Sequence, residues 1–359
     1  MDGWLILDKP LGLGSTQGVS AVKRALRQGG YGKAKVGHGG TLDPLATGVL
    51  PIAIGEATKL AGRMLDSDKV YEFTIAFGVQ TDTLDLEGAV VAESDVRPTL
   101  AALEAVLPRF TGPISQVPPS YSALKVDGKR AYDLARAGQE VVLASRNVTI
   151  HALNSSPARG GGPSAGWWRG ASTSHCAAGD PPPPFAGANG PQRQVDHAPH
   201  DRGSSGGRSD LPLRHGEELA EVTLTAYVSK GTYIRSLARD IALALGTVGH
   251  VTMLRRTRAG PFDLSSAISL DKLAEAGMAR GLELLLLPLR AGLDDIPALA
   301  LDPDQAGALR QGRVLAGFAA DDGLRFACMD DVPVALVEVR DGNVHVVRGF
   351  NLAMSKENE

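Results

Sequence analysis

Gly37-His38-Gly39-Gly40-Thr41-Leu42-Asp43-Pro44-Leu45-Ala46-Thr47-Gly48-Val49-Leu50 is the stretch from which the rest of the chain is read. Its four glycines and one proline predict a loop. A single carboxylate, Asp43, stands among the bulky apolar residues Leu42, Leu45 and Leu50. Such an aspartate is either exposed at a loop tip or held in a partly desolvated pocket, where it would be a candidate reactive group. The plainer alternative is a turn in which Asp43 bonds the backbone ahead of Pro44.

Working outward, residues 4–7 read as a strand, and Ser15 or Thr16 caps a helix with apolar positions Val19, Val22 and Leu26 that Gly29-Gly30 ends. After the loop, residues 70–77 alternate around Tyr71, Phe73, Ile75 and Phe77, as a half-buried strand should. Leu100 to Phe110 has helical spacing, Tyr132 to Ala137 reads as a short helix closed by Gly138, and residues 141–153 read as strand. Residues 219–228 place Val222, Leu224, Ala226 and Val228 on one face of a strand. Ile234, Leu237, Ala238, Ile241 and Leu245 then form a helical stripe stopped by Gly246. Val251 to Arg258 reads as a strand carrying Arg255, Arg256 and Arg258. Near the end, two β-rich runs flank Asp341-Gly342, a strong hairpin signal.

Between about 155 and 215 the chain turns to Gly, Pro, Ser, His and Arg, with Pro181-Pro182-Pro183-Pro184. No apolar periodicity survives, so this segment is expected to be a disordered insertion between two strands. It carries Trp167 and Trp168, and also His175, Cys176, His197 and His200. These last four are the only hint of a metal site, and a histidine-rich composition explains them more simply; no metal is expected.

At 359 residues the chain exceeds the usual size of one core, so two domains are expected. An apolar content of 43% suffices for globular packing. The sequence has no apolar run of membrane-spanning length. MDGWLILDKP lacks the pattern of a secretory signal, and two cysteines make no disulfide framework, so a reducing cytoplasm is expected. A net charge of −3 does not favour nucleic-acid binding as a whole, although a local basic face is enough for it. A P-loop is excluded by the missing Gly-Lys-Ser/Thr signature, and a glycosidase would need two carboxylates flanking the scissile bond.

The stretch GHGGTLDPLATGVLPIAIGEATKL resembles the catalytic motif of the TruB family of tRNA pseudouridine synthases. Four further blocks resemble the same family: Ile6-Leu7-Asp8-Lys9-Pro10; Asp66 to Tyr71 with Gly78 to Asp85; Pro118 to Lys125; and Ser229 to Ser236. Five ordered blocks are far more specific than one glycine-rich loop. The resemblance implies an α+β fold, with a mixed, antiparallel-rich pseudouridine synthase domain over 1–288. A small β-rich, PUA-like RNA-binding module would follow over 289–359.

It further implies isomerisation of uridine 55 in the T loop of tRNA, without a cofactor. Asp43 would be the catalytic carboxylate, attacking C1′ or C6 or taking a proton from C2′. Arg235 would pair with it and Tyr71 would face the uracil. His38 would fill the gap left by the extruded nucleotide, with Tyr233, Leu254 and Asp85 around the pocket. Lys125, Lys129, Arg130, Arg255, Arg256 and Arg258 are candidate phosphate contacts. The expected partner is the tRNA T stem-loop, with no membrane and no obligate protein partner, and the chain is expected to be monomeric. The alternative from another class is an RNA-binding or RNA-folding protein, which would have no need of Asp43.

Overall fold

The computed structural model describes residues 1–122, 124–126, 128–139, 143–155 and 216–352. All of these belong to one compact unit. Nearly all of the glycine- and proline-rich stretch of 155–215, with its histidines and tryptophans, lies outside the described residues.

The centre is a mixed sheet, nine-stranded among the described residues. Its main path begins with Gly3–Lys9 at one edge, antiparallel to Ala46–Ile54. The Ala46–Ile54 strand is parallel to Gly249–Ala259, which is in turn antiparallel to Lys69–Phe77. Glu221–Val228, Arg146–Ser155 and Gly112–Gln116 complete the path, each antiparallel to the last. The fold is thus the α+β, antiparallel-rich sheet that the family resemblance implies.

Among the described residues three apolar clusters fill the body, and two of them meet beside the catalytic motif. In one, the inward residues Val222, Leu224, Ala226 and Val228 meet Leu237, Ala238 and Ile241 of the Ile234–Ala244 helix. In the other, Leu5 and Leu7 meet Val22 and Leu26 of the Ser15–Gln28 helix across Leu50 and Ile52. Tyr71 and Leu254 touch both clusters, which puts them at the seam between the cores.

Several local expectations are corrected. The stretch expected to be a loop up to Leu50 becomes strand at Ala46. Gly48 is there because the chains approach closely: with φ +100° it lies over Arg256, whose carbonyl oxygen would be 2.2 Å from an added Cβ. Ser15 is the first residue of its helix and not its cap, which is Gly14. Its hydroxyl instead donates to the Leu42 carbonyl (3.0 Å) and accepts from the Leu42 amide (2.8 Å). The helix from Leu100 gives way to a 3-10 turn at Leu107–Phe110, because Pro108 has no N–H to continue the α-helical ladder. The strand expected at 141–153 begins at Arg146.

The carboxy-terminal sheet has four strands among the described residues, Ala298–Ala300, Gly323–Met329, Val332–Arg340 and Asn343–Gly349. The last two form the expected hairpin: Asp341 (φ 49°) and Gly342 (φ 72°) both take the left-handed conformation of a type I′ turn. Asp302 caps the Pro303–Arg310 helix by accepting from the Gln305 amide at 2.8 Å, and Gln305 accepts in return from the Asp302 amide. The boundary expected at 289 falls in a 3-10 turn, Leu289–Leu293, whose leucines pack on Trp4 with Phe262 and Phe350. Trp4 is fully buried and donates its indole N–H to the Leu289 carbonyl at 3.2 Å. This cluster, which also takes in Phe326 and Leu336, welds the second sheet to the body.

Candidate active site

Asp43 sits between the short edge strand Val36–His38 and the Ala46–Ile54 strand. Bonds from four directions fix its loop. Ser15 pins Leu42, and the Ala46 amide donates to the Asp43 carbonyl at 3.0 Å. Next along the chain, the Pro44 carbonyl accepts from the Gly12 amide (2.9 Å) and from Lys9 Nζ (3.2 Å). On the far side, Arg256 donates to the Gly40 and Thr41 carbonyls. The Asp43 side chain itself stays 47% exposed.

Arg235 meets it. This arginine lies in the first turn of the Ile234–Ala244 helix, where a solvated side chain is the ordinary outcome, yet it is only 8% exposed. Its Nη2 is 3.0 Å from Asp43 Oδ2 and its Nη1 is 3.0 Å from Asp85 Oδ2. The same nitrogens donate to the carbonyls of Tyr121 (3.0 Å) and Thr83 (2.9 Å). Asp85 is buried and itself held, since Oδ1 accepts from the Thr83 hydroxyl at 2.6 Å and the Glu87 amide at 3.1 Å. One guanidinium therefore bridges an inner and an outer carboxylate. Burial of Arg235 and Asp85 supplies the low dielectric that strengthens the inner pair, and the backbone carbonyls fix the plane of the fork.

The cleft in front of this bridge is lined by Asp43, Leu45, Asp85, Arg235, Met253 and Leu254, among others. About 20 Å³ of it is free, room for roughly one water molecule. Tyr71 is partly buried in the strand next to Leu254, paired in register with Arg256 and Ala226. His38 ends its strand with Nδ1 accepting from the Gly40 amide at 3.4 Å. Burial, and then the charge of Arg256, push the His38 imidazole below its ordinary value, so it is a neutral ring near pH 7. Tyr233 precedes the helix, its amide donating to Gln116 Oε1 at 2.8 Å, with the Arg146 guanidinium 5.5 Å from its ring centre. Asp43, Asp85, Arg235 and Leu254 are thus brought to one cleft. Tyr71, His38 and Tyr233 belong to neighbouring elements outside its lining.

The basic candidates divide. The side chains of Lys125, Lys129 and Arg130 lie outside the described residues. Arg255 is about a third exposed and donates to Asp8 Oδ2 at 2.9 Å. Arg258 donates to the Gly260 carbonyl at 2.7 Å. Arg256 must be corrected: it is 1% exposed and makes no surface contact, because its donors turn inward to the Val49, Thr41 and Gly40 carbonyls.

Sequence reasoning left out the groups that brace the loop. Lys9 was visible only as part of a motif block, although a lysine in an apolar strand before Pro10 is itself a signal. It is fully buried, with Nζ donating to the Pro10, Leu13 and Pro44 carbonyls. Burial pushes its ammonium down to about 8 against the opposing pull of Asp43. Among the described residues no cluster of His, Cys, Asp and Glu has metal-binding geometry, and no helix is long and apolar enough to cross a membrane.

Comparison with known proteins identifies the family. The profile for the amino-terminal domain of the TruB family pseudouridylate synthases matches residues 27–160. That for the tRNA pseudouridylate synthase B carboxy-terminal domain matches 235–294. A "tRNA pseudouridine synthase B" from Novosphingobium aromaticivorans is 59% identical over 352 residues, 98% of each chain. A protein of the same name from Zymomonas mobilis is 50% identical, over 98% of this chain and 96% of its own. Among solved structures, a chain of a Cbf5–Nop10–Gar1 complex superposes with a TM-score of 0.61 at 21% identity, covering 98% of this chain and 84% of that one, and so shares its fold. On these grounds, and with the acidic loop and its paired arginine in place, the chain belongs to the TruB family of pseudouridylate synthases.

Proposed function

We propose that this protein isomerises uridine 55 in the T loop of tRNA to pseudouridine, acting in the cytoplasm as a monomer. The observation that carries the reading is the Asp43–Arg235–Asp85 bridge, with its outer carboxylate open to the cleft and its inner one buried. The reaction breaks the C1′–N1 bond, turns the uracil, and joins C5 to C1′. Nothing is oxidised or hydrolysed. The chemistry needs an ionised, aimed carboxylate and a closed pocket that keeps the freed base in place.

Asp43 supplies the carboxylate, at C1′, at C6, or toward the C2′ proton. Arg235, 3.0 Å away, keeps it pointed into the cleft, and Asp85 fixes Arg235. Tyr71, at the seam beside Leu254, offers a ring to the uracil and a hydroxyl that has no hydrogen-bond partner among the described residues. A base inside a stacked RNA is reached only by flipping it out, at a cost of about a few kcal/mol. The neutral ring of His38, just ahead of Asp43 in the same loop, is suited to fill the space it leaves. The carboxy-terminal sheet adds a PUA-like surface for the rest of the tRNA.

The test is to incubate the purified protein with unmodified tRNA transcript and map pseudouridine by carbodiimide labelling and primer extension. A single new stop one nucleotide 3′ of position 55, lost with Asp43→Asn, is expected. Absence of pseudouridine with the wild-type chain, or turnover by a sequence-verified Asp43→Asn chain, would overturn the reading. The RNA-folding alternative predicts tRNA binding by both proteins and no pseudouridine from either.

A further inference from the structure

Arg256 is among the largest fully buried side chains of the protein. Its Nε donates to the Val49 carbonyl at 2.8 Å, Nη1 to Thr41 at 3.2 Å and Nη2 to Gly40 at 3.3 Å. These carbonyls lie on both sides of Asp43 in the chain, so one rigid guanidinium ties the two arms of the catalytic loop together. Its backbone is fixed as well. Arg256 pairs with Tyr71 on one side and with Gly48 on the other, and an added Cβ at Gly48 would lie 2.2 Å from its carbonyl oxygen. The residue therefore stands between the strand that carries Tyr71 and the segment that carries Asp43.

A cation at this depth is a costly way to fill space. Among the described residues no carboxylate forms an ion pair with it, and its partners are backbone carbonyls alone. A methionine would fill the same volume without desolvating a charge. Only arginine reaches three carbonyls with a planar fork, which a lysine does not reproduce. We infer that Arg256 is a positioning residue for this reaction, setting the place of the Asp43 loop relative to the Tyr71 strand without touching the RNA. The inference rests on the uridine-isomerising reading above.

The test compares wild type with Arg256→Lys, which keeps the charge, and Arg256→Gln, which keeps a donor. Measured quantities are the single-turnover rate of pseudouridine formation, the tRNA dissociation constant over a range of salt, and amide hydrogen exchange by segment. The expected result is a rate fall of about 10²-fold in both variants, the size that a displacement of about 1 Å brings. The dissociation constant should stay within about threefold and the salt slope should not change. Faster exchange should be confined to residues 37–45, with the Ile234–Ala244 helix as protected as in wild type.

Three results would overturn the inference. A wild-type rate in either folded variant shows that the loop does not need the fork. A weaker affinity with a salt slope smaller by about 0.9 marks a phosphate contact. Exchange accelerated everywhere in both variants marks a residue that stabilises the fold as a whole. An inactive wild type would instead count against the functional reading, which keeps the two failures distinct.

Discussion

The cleft and the carboxy-terminal sheet are built on opposite principles. Around Asp43 the protein buries charge: Lys9, Asp85, Arg235 and Arg256 are all under 10% exposed. The carboxy-terminal sheet buries apolar side chains, with Val334, Ala335, Val337, Val339 and Val344 at its centre, and leaves Arg310, Arg340 and Arg348 on the surface. Buried ions are poor sources of net stability, because desolvation offsets most of the attraction, but they hold geometry well. Apolar burial does the reverse. Substitutions in the cleft should therefore act on rate more than on affinity, and those in the apolar seam on stability more than on rate.

The largest effect should come from Asp43→Asn. A neutral amide keeps the shape and removes the reacting group, so pseudouridine formation should fall by about 10³-fold or more. Affinity for tRNA, measured by filter binding, should stay within about tenfold, because catalysis and binding are separable here. Asp85→Asn comes next. It leaves the buried Arg235 cation without its inner partner, and breaking such a pair costs about 3–5 kcal/mol. Chemical denaturation should show that loss, and the single-turnover rate should fall by about 10²-fold as Arg235 swings away from its aim on Asp43. An Asp85→Asn enzyme with wild-type rate would break the claim that the inner carboxylate fixes the bridge.

On the other side of the comparison, Trp4→Ala should cost about 3–5 kcal/mol of stability by opening a cavity in the cluster that joins the two sheets. Below the lowered melting temperature, the rate should stay within a few-fold of wild type. A selective loss of rate at full stability would show that the two regions are not separable in this way.

Buried lysines give the contrast a pH signature. Burial pushes both Lys9 and Lys69 down to about 8, from an ordinary value of 10.5. Lys69 donates to the Met64, Leu65 and Ser67 carbonyls at the end of the Ala61–Asp66 helix. Between about pH 8 and 10.5 the unfolded chain binds more protons at these sites than the folded one. Stability contributed there should therefore rise with pH across that window. Subtracting the profile of Lys69→Met from that of wild type should give a positive slope over this range; a flat difference would count against the burial of this ammonium.

Much of this was legible in the sequence, for identifiable reasons. Apolar periodicity located the Ile234–Ala244 helix and its core face, and Asp341-Gly342 located the hairpin, because both depend on local rules. Asp43, Arg235 and Asp85 were legible only as motif positions. Their meeting depends on strands brought together from distant parts of the chain. Arg255 and Arg256 looked alike as part of one basic run. The Gly249–Ala259 strand turns one outward and the other inward, and its register shifts, between Val251 and Met253 and between Arg256 and Arg258, defeat simple alternation. Gly48 looked like a loop residue because a close approach between chains leaves the same sequence mark as a turn.

The smallest effect separates those two arginines. Arg255 has one arm on Asp8 at 2.9 Å and the other on the Thr47 hydroxyl at 3.4 Å, with both charges about a third exposed. An ion pair so open to solvent contributes roughly 0–1 kcal/mol. Arg255→Ala should therefore leave the melting temperature and the single-turnover rate near wild type. To reach a phosphate, Arg255 has to leave Asp8 or share itself between the two anions. Its contribution to counterion release should then be less than the roughly 0.9 unit of a full contact, seen as a small flattening of log affinity against log salt. Asp8→Ala frees the arginine and should steepen that line. If Arg255→Ala removed a full unit of slope, Arg255 would be a committed RNA contact that abandons Asp8 on binding. If it changed nothing while Asp8→Ala also changed nothing, the pair would be an ordinary surface bridge. The outward arginine would then have no more to do with RNA than the inward one.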